Sequence, residues 1–283
     1  MTIASPRPPK PQCILQVQRS EWVSPHLVRV VLGGENFDDF VDNGFADKYV
    51  KIVFVKPELG LKPPYDLAEL RTSLAPDDRP VTRTYTVRWV DQAARELAID
   101  FVVHGDEGLA GPWAAAAQPG DTLVFAGPGG LFNPDASADW HLLAGDDSAI
   151  PAIGAVLEAM PADAVGHAFI EVDTDRDILP LAAPDGIELH WLLRGGVPAG
   201  ESTALVDAVA ALDWPAGRVS VFAHGEREAM KGLRRVFAGR EVPRADLSLS
   251  GYWAYGRTED RFQAEKREPV GVIFDEDAAP TPR

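Results

Sequence analysis

The spacing of apolar residues in this 283-residue chain changes once, near Asp139, and that change limits the folds open to it. Before it, apolar residues come in short runs of strand type. Residues 27–32 form a β-branched run followed by Gly33 and Gly34, and residues 50–55 form another. Leu97, Ile99, Phe101 and Val103 alternate with Ala98, Asp100 and Val102, which predicts a strand with one wetter face. Residues 122–125 add a fourth run, and only residues 65–74 carry a weak helical pattern. Gly, Pro and Asp clusters separate the runs, so a sandwich or small barrel is expected.

Beyond Asp139 the pattern alternates between strand and helix. Predicted strands at 140–144, 168–172, 187–193, 219–223 and 247–249 are interleaved with helical stretches. One helix carries Ile150, Ile153, Leu157 and Met160 on one face. Ser202 is placed to cap a second, with Leu205, Val209 and Leu212. A third runs from about Glu226 to Ala238, with Gly239 at the expected C′ position. Such alternation implies βαβ units and a parallel sheet. The expected fold class is therefore an antiparallel barrel over 12–136 followed by a Rossmann-like α/β domain over 139–274. Residues 1–11, rich in proline and without the apolar core of a secretory signal, and residues 275–283 are expected to be disordered.

Composition narrows the partners. A formal net charge of −16 repels phosphate backbones and anionic lipid, so neither nucleic acid nor a membrane surface is expected as partner. No apolar run has the length of a membrane-spanning helix. The single cysteine, Cys13, can neither close an internal disulfide nor hold an iron–sulfur cluster, and it reads as a small apolar strand residue. A reducing cytoplasm fits that usage.

Two stretches in the first half could hold a cofactor. In Arg83-Thr84-Tyr85-Thr86, strand alternation sends Arg83 and Tyr85 to one face and Thr84 and Thr86 to the other. A guanidinium can pair with phosphate, an aromatic ring can pack on an isoalloxazine, and a hydroxyl can bond its polar edge. Asp100, Val102 and His104 then lead into Gly105-Asp106-Glu107-Gly108-Leu109-Ala110-Gly111-Pro112-Trp113-Ala114, a glycine-rich turn entering a short helix whose amides could face a pyrophosphate. Gly127-Pro128-Gly129-Gly130 and Pro119-Gly120-Asp121 read as barrel turns. In the second half, Gly145-Asp146-Asp147-Ser148 and His224-Gly225-Glu226 sit at strand-to-helix turns on the edge where open α/β sheets bind ligands. Asp173 follows a strand near Glu171, and Arg194 follows the next. An acid there favours NADH over NADPH, whereas Arg176 argues the other way; the balance leans to NADH.

Taken in order, these stretches, with Gly251-Tyr252-Trp253 and Gly256-Arg257-Thr258-Glu259-Asp260, resemble the siderophore-interacting protein family of FAD-binding ferric-siderophore reductases, over residues 16–273. The resemblance implies FAD held by Arg83, Thr84, Tyr85, Thr86, Asp100, Val102, His104, Gly108, Ala110, Gly111, Trp113 and Ala114. It implies NADH or NADPH at Gly145, Asp146, Asp147, Ser148, Asp173, Arg194, His224, Gly225 and Glu226. Basic residues for an anionic ferric siderophore would be Lys48, Lys51 and Arg257, with Lys51 the better match of the two lysines. Where many members carry basic residues after the Tyr-Trp pair, this chain has Ala254 and Tyr255, so basic contacts there fall to Arg257, Lys266 or Arg267. No bound metal of the protein's own is expected. The alternatives are a ferredoxin as electron donor, a general flavin or quinone reductase, and a flavin-free siderophore-binding protein.

Overall fold

The structure is a computed structural model that describes residues 11–105, 108–266 and 268–274. Asp106, Glu107, Arg267, residues 1–10 and residues 275–283 lie outside them, and with them most of the two expected disordered ends and part of the glycine-rich turn. The chain forms two compact units, one of residues 1–21 with 28–131 and one of residues 22–27 with 132–283.

The first unit is built on a closed barrel. Its strands are β1 (Gln12–Ser24), β2 (Leu27–Gly33), β3 (Tyr49–Phe54), β4 (Val81–Asp91), β5 (Glu96–Val102) and β6 (Thr122–Gly129), in spatial order β1-β2-β5-β4-β3-β6. Alternation fills the interior: Cys13, Leu15 and Val17, then Val28, Val30 and Leu32, then Val50 and Ile52, then Leu97, Ile99 and Phe101, then Leu123 and Phe125 form one buried cluster. Each large apolar side chain buried this way stabilises by about 1.5–3 kcal/mol. Two short helices join the strands, α1 (Leu67–Ser73), capped by the Asp66 carboxylate, and α2 (Ala110–Ala116). Cys13 is indeed a buried strand residue; its thiol donates to the Asp39 carbonyl, and burial, with Asp39 nearby, pushes its pKa up to about 11.

Two expectations for the barrel need correction. The wetter face of β5 is mostly lost: Ala98 and Asp100 are buried with Leu97 and Ile99, and Val102 at the strand's end is half-buried. Asp100 is tolerated there because Arg29 Nε and a terminal guanidinium nitrogen donate to its two oxygens at 2.7 and 2.8 Å. Gly127, Pro128 and Gly129 form no turn but continue β6, paired with β3 through Tyr49↔Gly129 and Lys51↔Ala126. The Tyr49 ring lies over the strand there, and an added Cβ on Gly129 would stand 2.5 Å from it and displace it.

The second unit holds β7 (Trp140–Gly145), α3 (Ile150–Glu158), β8 (Val165–Val172), β9 (Gly186–Leu193), α4 (Ala204–Ala211), β10 (Val219–Glu226), α5 (Arg227–Gly239), β11 (Leu247–Trp253) and α6 (Glu259–Glu265). The five strands form a parallel sheet in the order β11-β10-β7-β8-β9. Helices α4 and α5 bring Leu205, Val209, Met230, Leu233 and Phe237 against Trp140, Leu142, Val219 and Val221. On the opposite face α3 approaches so closely that a Cβ on Gly145 would meet Ala149 at 2.5 Å. The helix ends differ from expectation. The N-cap of α4 is Thr203, although the Ser202 hydroxyl accepts from the Ala204 amide. Helix α5 runs through Gly239, and the left-handed residue beyond it is Glu241 at φ 57°. Among the described residues, no helix is long and apolar enough to cross a membrane.

Candidate functional site

In the barrel, strand β4 presents Arg83 and Tyr85 on the face of their β3 partners Ile52 and Val50, and Thr84 and Thr86 on the face of Lys51 and Tyr49. Tyr85 packs on Phe101 with ring centroids 4.5 Å apart, and Phe101 packs on Trp113 at 5.7 Å. Phe54 adds an edge contact to Trp113 at 6.1 Å. This aromatic run draws two distant stretches of sequence together: the Arg83–Thr86 strand and the loop into α2. Arg83 donates to the Thr82 carbonyl. Gly108 has φ 82° and open space where a Cβ would stand, and among the described residues no side chain caps α2. Ala110, Gly111 and Ala114 are buried under the helix, where Gly111 packs on the Val102 carbonyl. His104 is exposed just past β5. A guanidinium, an aromatic patch and uncapped amides make a donor set suited to a flavin nucleotide. Asp100 stands apart from it, its carboxylate committed to Arg29.

The three basic candidates differ in what already holds them. Lys51 is exposed and lies directly across from Thr84. Lys48 is mostly covered and sits 3.6 Å from Asp42. Arg257 donates to Glu265, which also receives Arg227 and Arg261. The hydrogen bond from Arg227 and the other two guanidiniums hold the Glu265 carboxyl down at about 2.

At the carboxyl edge of the parallel sheet, several predicted nucleotide ligands are occupied with the fold. Asp146 accepts from the Ser148 amide and hydroxyl through one oxygen, and from the Glu226 amide and Trp253 Nε1 through the other. Four donors fill a carboxylate. Gly225, at φ 154°, leaves room for that carboxylate, which a Cβ would approach to 2.7 Å. Glu226 caps α5 by accepting from the Glu228 and Ala229 amides, and its other oxygen takes the Tyr255 amide. A negative charge thus already sits at the α5 N-terminus, where a phosphate would otherwise bind. The open candidates lie beside these. Arg194, buried, donates to Asp147 at 2.7 Å and lies 3.8 Å from Glu171, while its Nε has no hydrogen-bond partner among the described residues. Burial pushes the Asp147 pKa up to about 6, more than Arg194 can pull it down. Glu171 accepts from Ser202, and Asp173 borders the Arg194 charge.

His224 is sealed in. Its ring nitrogens meet the Tyr252 hydroxyl and the Ser248 hydroxyl, each at 2.9 Å, and burial lowers its pKa to about 3. The unfolded ring titrates near 6.5. Between those values the unfolded state binds a proton that the folded state refuses, so stability contributed above pH 6.5 is lost as pH falls toward 3. Asp147 has the opposite slope between about 4 and 6, so the effect is read by difference. Relative to a His224→Gln variant, the wild type should lose about 1.4 kcal/mol per pH unit below 6.5 in urea unfolding. A difference that stays constant from pH 7 to 4.5 would contradict a neutral buried ring.

The contacts of Asp100 with Arg29, of Asp146 with Trp253 and of Glu265 with three arginines were not foreseen from sequence. The first two, and the Arg227–Glu265 contact of the third, join residues far apart in the chain and leave no local mark, whereas Arg261 and Glu265 are four apart on α6.

Residues 16–132 match the siderophore-interacting FAD-binding domain, and residues 138–256 match the siderophore-interacting protein domain. An uncharacterised protein of Mycobacterium tuberculosis is 47% identical over 92% of this chain and 96% of its own length. The ferric vibriobactin reductase ViuB of Vibrio cholerae is 35% identical over 93% of this chain and 96% of its own. The NADPH-dependent ferric-chelate reductase of Escherichia coli is 34% identical over 84% and 91%. Among solved structures, the siderophore-interacting protein SipS of Aeromonas hydrophila superposes with a TM-score of 0.77 at 33% identity, covering 90% of this chain and 96% of that one.

Proposed function

The chain belongs to the siderophore-interacting protein family, and we propose on that basis that it is an FAD-dependent reductase that takes electrons from NAD(P)H and reduces ferric siderophores to release Fe(II). The observation that carries the reading is the Tyr85–Phe101–Trp113 run, which gathers a cationic strand and an uncapped helix start onto one patch of the barrel. Held by these residues, FAD would supply the conversion between two-electron and one-electron transfer that NAD(P)H and Fe(III) require. Arg83 supplies the charge that pairs with the cofactor's phosphate, and the partly exposed rings of Tyr85 and Trp113, held by the buried Phe101, supply its apolar contact. Lys51, beside Thr84 on an exposed face of a strongly acidic protein, is a local attraction for an anionic ferric chelate. Lys48 serves that role less directly, being held by Asp42, and Arg257 is committed to Glu265. Fe(II) holds hard anionic oxygens less firmly than Fe(III), so the metal leaves an intact siderophore.

For the nucleotide, we assign direct contacts to Gly145, Asp147, Ser148, Asp173, Arg194 and Gly225. Asp146, His224 and Glu226 support them through the fold. NADPH is taken as the donor on this reading because the Escherichia coli relative is named for it; Asp173 weighs the other way, whereas Glu171 is already engaged by Ser202 and Arg194. Nothing supports a ferredoxin partner. The reaction belongs in the cytoplasm, where NADPH is available.

The deciding experiment is anaerobic. NADPH or NADH is mixed with the yellow protein, flavin bleaching is followed, and a ferric catecholate is then added. Bleaching by NADPH and recovery of colour with Fe(II) appearing in a chelator assay is the expected result. A protein that takes up no FAD, or a bleached flavin that the ferric complex leaves unchanged, would end the proposal. Arg83→Ala should weaken FAD binding by about tenfold to a hundredfold, the value of one charge-assisted contact. Flavin content after gel filtration measures it, and full retention would remove Arg83 from the site.

A further inference from the structure

Three donors converge on β8 and β9, on the sheet face that carries Trp140, Leu142 and Phe169. His167 Nδ1 lies 3.1 Å from His190 Nε2 and 3.5 Å from a Glu188 oxygen, and His190 Nε2 lies 3.7 Å from that same oxygen. The register explains the convergence. His167 pairs directly with Glu188, and His190 stands two residues further along β9 on the same face. The result is a near-equilateral triangle of two imidazole nitrogens and one carboxylate oxygen. An ion about 2.0–2.1 Å from each ligand in a tetrahedral site separates them by about 3.4 Å, close to the distances found.

A shared proton between the two rings would account for the short nitrogen–nitrogen contact. It would not need a carboxylate oxygen within reach of both nitrogens. Phe169 stacks on His190 with centroids 4.5 Å apart and planes within 13°, which fixes that ring's plane. His167 is mostly covered, whereas Glu188 is exposed, so the triangle is open on one side.

We propose that His167, His190 and Glu188 bind a divalent first-row transition ion, with Zn²⁺ as the representative, leaving its remaining positions open to solvent. Two imidazoles and one carboxylate select that class over Mg²⁺ and Ca²⁺, which take oxygen ligands, and no thiolate is present to favour Cu(I). The ion would tie β9, the edge strand of the sheet, to its neighbour β8. The site stands on its own geometry and does not depend on the flavin chemistry proposed above.

The test uses the full-length, flavin-loaded protein after chelator treatment. Zn²⁺ is titrated by calorimetry, and Co²⁺ is added separately to read visible absorption and quenching of tryptophan fluorescence, since Trp140 lies edge-on to His167. The expected result is one Zn²⁺ per chain and a Co²⁺ spectrum showing nitrogen ligation. His190→Ala and His167→Ala should each weaken Zn²⁺ by at least about tenfold, since even outer-shell partners of a metal are worth that much. Glu188→Ala, at an exposed position that disturbs no packing, should weaken it in the same direction, with flavin content unchanged. Wild-type binding no tighter than millimolar overturns the site, and so does binding that the three variants leave untouched.

Discussion

Arg29→Met should lower the unfolding free energy of the barrel by about 3–5 kcal/mol, because it strands the Asp100 carboxylate in the wall of the core. Asp100 has only 1% of its side chain exposed, and both of its oxygens are bonded to that one guanidinium. Removing the cation leaves a charge that must either stay buried or take up a proton. The double variant Arg29→Met with Asp100→Leu should recover much of the loss, since replacing a buried pair by apolar groups of similar volume is often neutral. Urea unfolding followed by flavin release measures both. The consequence reaches the site because Asp100 precedes Phe101, the ring that joins Tyr85 to Trp113. FAD should therefore be lost from the single variant and regained in the double. If the double variant is as unstable as the single, the pair is not what holds β5.

That pair also marks where sequence reasoning stops. The alternation of Leu97, Ile99 and Phe101 predicted a strand correctly, because one buried face is enough to impose a period of two. The same alternation read Asp100 as wet, since the partner that lets it be dry lies 71 residues away. Gly127 and Gly129 were expected in a turn. Glycine serves turns and close approaches alike, and only the position of Tyr49 tells them apart. The parallel sheet was legible as five strands in chain order, because each carries an apolar stretch, but not in its spatial order or strand ends: β8 begins at Val165 and β11 runs on to Trp253. Its helix ends were less so: Thr203 and Gly239 show that capping residues compete with neighbours one position away. The cofactor candidates were legible as stretches. Which members touch a ligand was not, since Asp146 and Glu226 occupy strand-to-helix turns where a phosphate contact and an internal cap call for the same kinds of residue. The cluster of His167, Glu188 and His190 needed the register of β8 against β9 before it became visible.

Asp146→Ala tests that last distinction between contact and support. The carboxylate collects the ends of three neighbouring strands, with Asp146 following β7, the Glu226 amide ending β10 and the Trp253 indole ending β11. Truncation leaves the buried Glu226 amide and the half-buried Trp253 indole without their acceptor, at about 1–3 kcal/mol each, so a loss of about 2–6 kcal/mol is expected from the second unit. Gly225→Ala should act in the same direction, because its Cβ would press on that carboxylate from a backbone conformation that side chains rarely adopt. Trp253 reports the change directly: its emission should shift to the red as the indole loses its partner. If Asp146 acts through the fold, then NADPH affinity and stability fall together in both variants, and conditions that stabilise the unit restore nucleotide binding. An Asp146→Ala protein with undiminished stability and a selective loss of NADPH binding would instead make this carboxylate a direct ligand. The nucleotide contacts would then have to be redrawn around it and not around Arg194.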